Sequence, residues 1–156
     1  MKSNPEWRTT RIQGLNPDEF CVLLSPLLDD SIAHGFNMLL RLVSEYRSET
    51  NRFDQAGEAL FGILSRENKL LAVGGLNRNP YTDEPSTGRV RRVYVHSAFR
   101  RLGLGAAITN AVMVEAKALG YPALVLRAPE SAFEFYESQG FERVLDVEPI
   151  THRKEM

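Results

Sequence analysis

Residues 90–119 read VRRVYVHSAFRRLGLGAAITNAVMVEAKAL. The β-branched and aromatic residues up to Val95 predict a strand that ends there. A basic turn with two glycines follows, and from Leu104 onward apolar residues recur with helical spacing. Gly120 predicts the end of that helix. We therefore expect a strand, a glycine-containing loop and a helix in this order.

The glycine loop is a candidate anion site. Gly103 and Gly105 allow the backbone to approach a ligand closely, because neither carries a Cβ. The first N–H groups of the following helix have no helical partner, and the helix dipole adds partial positive charge there. Arg100 and Arg101 add full charge, so a phosphate is the natural occupant. The residues alone leave a second interpretation open, in which the loop is a tight connection with solvated arginines.

Two familiar nucleotide-binding motifs do not fit this loop. A Rossmann fingerprint requires a third glycine where this chain has Ile108. It also requires an acid after the next strand, and none follows the strand at Leu124–Leu126. A Walker loop requires Gly-Lys-Ser/Thr, which is absent as well.

Two segments resemble the signature of the GNAT superfamily of N-acetyltransferases. Arg100-x-x-Gly103-x-Gly105, directly after a predicted strand, resembles its R/Q-x-x-G-x-G/A loop. The segment 132–141, AFEFYESQGF, resembles its A-x-x-F-Y-x-x-x-G-F segment, and the two lie in the family's order. The chain departs from the family at Pro129, where asparagine is common and contributes a side-chain contact to the cofactor.

The resemblance implies one N-acetyltransferase domain over residues 1–156. Its fold class is α/β, with a mostly antiparallel mixed sheet, a central parallel pair and helices on both faces. The implied cofactor, used as co-substrate, is acetyl-coenzyme A, with no metal. The residues that the resemblance assigns to its binding are Val93, Tyr94, Val95, Arg100, Arg101, Leu102, Gly103, Leu104, Gly105, Ala106 and Tyr136.

The resemblance also implies roles in acetyl transfer. The N–H of Val95 is the family's usual donor to the thioester oxygen, and the loop amides hold the pyrophosphate. Tyr136 matches the tyrosine that protonates the departing thiolate, and a phenol keeps its proton at neutral pH. The alternative for Tyr136 is a tyrosine packed in the core, as its aromatic neighbours Phe133 and Phe135 suggest.

No residue stands out as the general base. The acids and histidines considered for it are Glu58, Asp83, Glu84, His96 and His152, and none is nominated. Four further acids fall in the helices that, in the family, form a wall of the acceptor pocket. These are Asp29, Asp30, Glu45 and Glu49, which either attract an amine or form a helix cap and a solvated face.

The composition is that of a globular domain of 156 residues, with 43% hydrophobic and 25% charged residues. A net charge of −1 does not favour nucleic acid or an anionic membrane as partner. The single cysteine, Cys21, excludes an internal disulfide and favours a reducing compartment. Without a signal-peptide pattern or a long apolar run, we expect a cytoplasmic protein, and the family often forms homodimers.

The remaining pattern predicts alternating strands and helices. Asn16 starts a helix that ends near Leu28, Pro26 interrupts it, and Asp29-Asp30-Ser31 caps a second helix from Ile32. Gly74-Gly75 predicts a bulge or the close approach of another group, or else an early strand end. Ser131 is expected to cap a helix over 132–139 with Glu134. The predicted strands are residues 7–13, 59–65, 69–76, 89–95, 123–127, 141–147 and 151–156.

Three functions follow from these observations. The first is transfer of an acetyl group from acetyl-coenzyme A to a primary amine of a small molecule or protein, by direct attack on the thioester. The second is a non-catalytic sensor or regulatory module that binds the same coenzyme. The third, a phosphate-binding regulatory domain, leaves the second motif unexplained.

Overall fold

The computed structural model describes residues 6–80 and 86–156. Within these ranges the chain forms one seven-stranded sheet and four α-helices. The strands are β1 Trp7–Arg11, β2 Ala59–Ser65, β3 Leu70–Arg78, β4 Gly88–Val95, β5 Ala123–Leu126, β6 Glu142–Arg143 and β7 His152–Glu155. The helices are α1 Pro17–Ala33, α2 Met38–Arg47, α3 Leu104–Ala118 and α4 Phe133–Ser138.

The strand order in the sheet is β1-β2-β3-β4-β5-β7-β6. All neighbouring strands are antiparallel except β4 and β5, which are parallel. The parallel pair arises because α3 carries the chain back along the sheet between these two strands. The predicted α/β fold with a central parallel pair is confirmed.

Helices cover both faces of the sheet, because neighbouring residues of a strand point to opposite sides. Val73 packs in the cluster of α1 and α2, which includes Phe20 and Leu39, whereas Ala72 packs against Ile108 of α3. All five side chains are fully buried. Within residues 6–80 and 86–156, no helix has both the length and the apolar character that a membrane span requires.

Helix α1 corrects the predicted break at Pro26. The helix begins with a capping box, in which Asn16 and Glu19 each accept the other's backbone N–H at 2.9 Å. It continues through Pro26 to Ala33, so Asp29-Asp30-Ser31 lies inside α1 and caps nothing. The carbonyl of Val22, four residues before the proline, accepts a hydrogen bond from the Ser25 hydroxyl at 3.0 Å instead of a backbone N–H.

Two predictions near the C-terminal end are also corrected. A 3₁₀ turn spans Glu130–Ala132 and α4 begins only at Phe133, with no side-chain cap from Ser131. The strand predicted over 141–147 is reduced to β6, because its pairing with β7 ends at Arg143 and His152, where the loop between the two strands begins. Leu145 and Val147, predicted in that strand, lie in the loop and are exposed.

Candidate active site

Strand β4 carries a bulge near its middle. Gly75 of β3 pairs with Arg91, whereas the next pair along β4 involves Tyr94. Gly74 therefore lies opposite two residues of β4, and one of them, Arg92, has a φ of 60°. An extra residue of this kind bends a strand and increases its twist.

The glycines of β3 permit close approach from both faces of the sheet. A Cβ on Gly74 would collide with the side chain of Ile108 in α3, and a Cβ on Gly75 would collide with the ring of Phe53. The strand itself continues to Arg78. The structure therefore shows the close approach predicted from Gly74-Gly75, with the bulge in the neighbouring strand β4, and not the early strand end.

Strands β4 and β5 separate after a short paired stretch. Their pairing consists of Gly88 with Leu124 and Arg89 with Val125. Beyond Arg89, the edge of β4 that faces β5 has no strand beside it among the described residues. Because β5 ends at Leu126, the rest of this edge of β4 borders a gap in the strand pairing, next to the loop that follows Val95.

The backbone of Val95 faces this gap. The N–H of the next residue, His96, donates to the carbonyl of Leu71 in β3 at 2.9 Å. Because backbone groups alternate between the two edges of a strand, the N–H and carbonyl of Val95 point away from β3. Its carbonyl accepts a hydrogen bond from Nε of Arg100 at 3.2 Å. The N–H of Val95 is thus presented to the gap.

The glycine loop ends at an uncapped helix N-terminus. Gly103 is the N-cap residue of α3, with a φ of 86° and no side-chain cap hydrogen bond. The first intrahelical N–H is that of Ala107, which donates to the carbonyl of Gly103 at 3.0 Å. The N–H groups of Leu104, Gly105 and Ala106 therefore have no helical acceptor and form a cluster of donors at the positive end of the helix dipole.

The two glycines are needed for different reasons. Gly103 has open space around a potential Cβ but a left-handed backbone that disfavours other residues. Gly105 has no positive φ, but a Cβ there would lie 3.3 Å from the ring of Phe135 and 3.7 Å from Val95. The second motif of the sequence, through Phe135, therefore packs directly on the first.

The remaining loop residues are exposed. Arg100 rests over the ring of Tyr94, with its Cζ atom 5.5 Å from the ring centroid. Arg101 has a φ of 65° and Leu102 is 53% exposed. Tyr94 and Val93 lie on opposite faces of β4, since Tyr94 packs with α1 and Val93 packs with α3.

Tyr136 lies in α4, on the same side of the sheet as the loop. It is 9% exposed and its ring packs edge-on against Phe135 and Phe141. Burial raises the pKa of its phenol to about 12, so the hydroxyl keeps its proton at neutral pH. The hydroxyl has no hydrogen-bond partner among the described residues. Packing in the core explains the position of the Tyr136 ring. The hydroxyl is not used in this packing and is available to a ligand.

The four acids in and after α1 and α2 differ in whether they are free to bind an amine. Glu45 of α2 forms an ion pair of 2.9 Å with Arg92, the residue of the β4 bulge. Asp30 of α1 accepts a hydrogen bond from the hydroxyl of Tyr94 at 2.6 Å. Burial, with this hydrogen bond, raises the pKa of Tyr94 to about 12. Asp29 and Glu49 are exposed.

Glu58 and His96 already have protein partners. Glu58 accepts a hydrogen bond from the side-chain amide of Asn77 at 2.7 Å. Nδ1 of His96 accepts the backbone N–H of Ala98 at 3.1 Å. Both groups therefore take part in the local packing of the loops.

The contacts of His152 indicate a structural role. It is fully buried, with Nε2 at 2.8 Å from Glu137 and Nδ1 at 2.9 Å from the hydroxyl of Thr151. The hydrogen bond with His152 holds the pKa of Glu137 below its usual range, against a smaller effect of burial, and Arg143 adds to the lowering. Asp83 and Glu84, also considered as general base, lie outside the described residues. Within the described ranges, no group of three or more His, Cys, Asp and Glu side chains could hold a metal ion.

Comparisons with known proteins agree with this architecture. A family model described as an acetyltransferase (GNAT) domain matches residues 29–152. A solved structure from Exiguobacterium sp. 255-15, assigned as an acetyltransferase, is 35% identical, covers 97% of this chain and 94% of that chain, and has a TM-score of 0.81. No curated protein gives a significant match.

Two more distant structures share the fold. Glucosamine-6-phosphate N-acetyltransferase from Arabidopsis thaliana is 18% identical, with 89% and 93% of the chains covered and a TM-score of 0.61. A mutant AtaT toxin bound to the C-terminus of the antitoxin AtaR and acetyl-coenzyme A is 14% identical, with 97% and 94% covered and a TM-score of 0.63. Together with the family match, the fold and loop define an acyltransferase of the α/β class. The chain belongs to the GNAT acetyltransferases.

Proposed function

We propose that this protein transfers an acetyl group from acetyl-coenzyme A to a primary amine of a small molecule or a protein. The observation that carries the proposal is the gap between β4 and β5, which lies beside the uncapped N-terminus of α3. An extended chain with amide groups fits along the open edge of β4, and a pyrophosphate fits the amide cluster of α3. Acetyl-coenzyme A contains both groups.

The residues of the loop and strand would hold the coenzyme. The N–H groups of Leu104, Gly105 and Ala106 bind the pyrophosphate, with Arg100 and Arg101 at the exposed rim. The backbone of residues 93–95 pairs with the amide-containing arm of the coenzyme. One solved relative of the same fold contains acetyl-coenzyme A, which supports this assignment.

Two groups of the chain would act on the reacting thioester. The N–H of Val95 faces the gap and stabilises the charge that develops on the carbonyl oxygen as the amine attacks. Tyr136 gives its proton to the departing sulfur, and its phenol is protonated at neutral pH. Both substrates react directly, so the remaining contribution of the protein is to position them.

The acceptor would approach from the side of α1 and α2. One solved relative with this fold acetylates the amine of glucosamine-6-phosphate, and this likeness supports an amine acceptor here as well. Asp30 and Glu45 are already paired with Tyr94 and Arg92, so neither is a free carboxylate for binding an ammonium group.

The test combines coenzyme binding with turnover. Acetyl-coenzyme A is titrated calorimetrically into the wild-type protein, and release of the free thiol is followed with a panel of amines. We expect binding, and thiol release that depends on at least one amine. Binding without thiol release with any amine would favour a coenzyme-binding module that does not catalyse, and absence of binding would contradict both.

Gly105→Val tests whether the glycine loop belongs to the coenzyme site. A valine side chain at this position meets Phe135 and fills the space in front of the helix amides. We expect a folded domain with strongly weakened binding of acetyl-coenzyme A. Unchanged affinity in the folded variant would remove the loop from the proposed site.

A further inference from the structure

Asp30 links the acceptor-side helix α1 to the start of the coenzyme loop. Its Oδ2 accepts hydrogen bonds from the hydroxyl of Tyr94 at 2.6 Å and from the backbone N–H of Ser97 at 2.9 Å. Its Oδ1 accepts the hydroxyl of Ser97 at 2.5 Å. Both oxygens of one carboxylate are therefore used to hold residues before the glycine turn.

The surroundings keep this carboxylate ionised. The side chain of Asp30 is 9% exposed. Burial alone would raise its pKa, but the hydrogen bonds from Ser97 and Tyr94 outweigh burial and hold the pKa well below its usual range. Nε2 of His96 and Nδ1 of His34 each lie 3.7 Å from Oδ1. A charged acceptor with three donors forms stronger hydrogen bonds than a neutral one.

Tyr94 transmits this contact to the loop arginine. Its ring supports the guanidinium of Arg100 at 5.5 Å, and Nε of Arg100 is also held by the carbonyl of Val95 at 3.2 Å. Ser97, the other partner of Asp30, is the first residue of the 3₁₀ turn that leads to Arg100. Both routes from Asp30 end at the same arginine.

We propose that Asp30 is a positioning residue for coenzyme binding. It holds Tyr94 and Ser97 so that Arg100 is already placed beside the phosphates when the coenzyme arrives. Preorganisation of this kind improves affinity because less side-chain freedom is lost on binding. The inference rests on the proposed function, since it assigns Arg100 to the acyl-coenzyme A site.

The first experiment compares Asp30→Asn with Asp29→Asn. Asparagine has nearly the same shape, but it places an NH₂ group opposite one of the three donors. The neighbouring Asp29 is exposed, and its variant makes the same change in net charge. We expect the dissociation constant for acetyl-coenzyme A to rise about tenfold in Asp30→Asn. It should be unchanged in Asp29→Asn.

The second experiment separates positioning from a general loss of structure. Arg100→Ala is measured alone and combined with Asp30→Asn. If Asp30 acts through Arg100, Asp30→Asn should weaken binding in the wild-type background and have almost no effect in the Arg100→Ala background. Equal effects in both backgrounds, or none in either, would overturn the inference.

A third variant guards against misfolding. If thermal unfolding shows that Asp30→Asn does not fold, Tyr94→Phe replaces it in the same cycle, because it removes only one of the three hydrogen bonds and keeps the ring. Additivity of Tyr94→Phe with Arg100→Ala would equally contradict the proposal. Failure of the wild-type protein to bind acetyl-coenzyme A would instead contradict the proposed function, so the two failures are distinguishable.

Discussion

At the residue scale, the loop depends on backbone conformation more than on side chains. Gly103 adopts a φ of 86° with no atom near a potential Cβ, so a substitution there acts through strain alone. Gly120, at the other end of α3, has a φ of 82° and equally open surroundings. These two glycines form a matched pair, of which only one lies at the proposed site.

The first prediction uses this pair. Gly103→Ala and Gly120→Ala should each lower the free energy of unfolding by about 1–2 kcal/mol, the cost of a left-handed non-glycine residue. Only Gly103→Ala should weaken the binding of acetyl-coenzyme A, because relief of the strain moves the first N–H groups of α3. Denaturation and calorimetric titration measure the two effects. Equal loss of binding in both variants would mean that the effect is one of stability.

The second prediction concerns the hydroxyl of Tyr136. Because it has no partner among the described residues, Tyr136→Phe should leave stability and coenzyme affinity nearly unchanged. Turnover should fall by about 100- to 10,000-fold, the usual contribution of a general acid. The experiment measures kcat with an identified acceptor under conditions where chemistry limits the rate.

Tyr121→Phe is the control for Tyr136→Phe. Tyr121 is also buried, but its hydroxyl donates to the carbonyl of Gly57 at 2.6 Å. Its loss should cost about 1 kcal/mol of stability and leave turnover unchanged. Wild-type turnover in Tyr136→Phe would show that Tyr136 is only a core residue.

At the element scale, the N-terminus of α3 combines backbone N–H donors with the positive charges of Arg100 and Arg101. Arg100 is held by Tyr94 and Val95, whereas Arg101 forms no hydrogen bond or ion pair with the described residues. The two arginines should therefore contribute differently to binding. Arg101 acts as an exposed charge, and Arg100 also acts through its position.

The third prediction follows from this difference. Charge reversal at Arg101 should raise the dissociation constant mostly at low ionic strength, since salt screens exposed charges over a Debye length of about 10 Å at 0.1 M. Charge reversal at Arg100 should raise the dissociation constant at high ionic strength as well, because Arg100 also acts through its position. Titrations from low to high salt measure this, with Lys117→Glu at the far end of α3 as control. A salt-independent loss at Arg101 would indicate a packing role.

At the scale of the whole molecule, α1 and α4 are each tied to the sheet by an ionised carboxylate. Asp30 joins α1 to β4, and Glu137 joins α4 to His152 of β7. The pKa of each carboxyl is lower in the folded protein than its ordinary value. The folded state therefore binds fewer protons than the unfolded state as the pH falls.

The fourth prediction is a loss of stability in acid. A depressed pKa contributes stability that is complete above the unfolded value, about 3.9 for Asp and 4.3 for Glu, and that disappears as the pH falls toward the folded value. The free energy of unfolding should thus decrease below about pH 4. Asp30→Asn and Glu137→Gln should each make this decrease shallower. A wild-type slope in both variants would contradict the assignment.

Much of this architecture could be predicted from local pattern. The strand, loop and helix of residues 90–119 were predicted because each depends on neighbours in the chain, such as the helical spacing from Leu104 onward. The same holds for the start of α1 at Asn16, whereas the reciprocal hydrogen bond from Glu19 is seen only in the structure. The parallel pair followed from the helix between two strands, since chain connectivity limits where the second strand can lie.

Other features depend on residues far apart in the sequence. The helix through Pro26 persists because its apolar residues are buried against the sheet, and this burial outweighs the lost hydrogen bond. The strand predicted over 141–147 is shorter than expected because its pairing with β7 ends at Arg143, where the chain turns toward β7. Neither the continuous helix nor the short strand could be predicted from the residues of its own segment.

The sequence by itself therefore determined the glycine loop and the aromatic segment that contains Tyr136. Both can be recognised from sequence because their residues act through their own backbone or through neighbouring turns. The position of the bulge in β4 at Arg92, the opening beside β4 and β5, and the contact of the Asp30 carboxylate with Ser97 were seen only in the tertiary structure. Each requires strands or helices to meet across long stretches of chain. Hydrogen-bond geometry and close packing decide these long-range contacts, and the spacing of residues along the sequence does not reveal them.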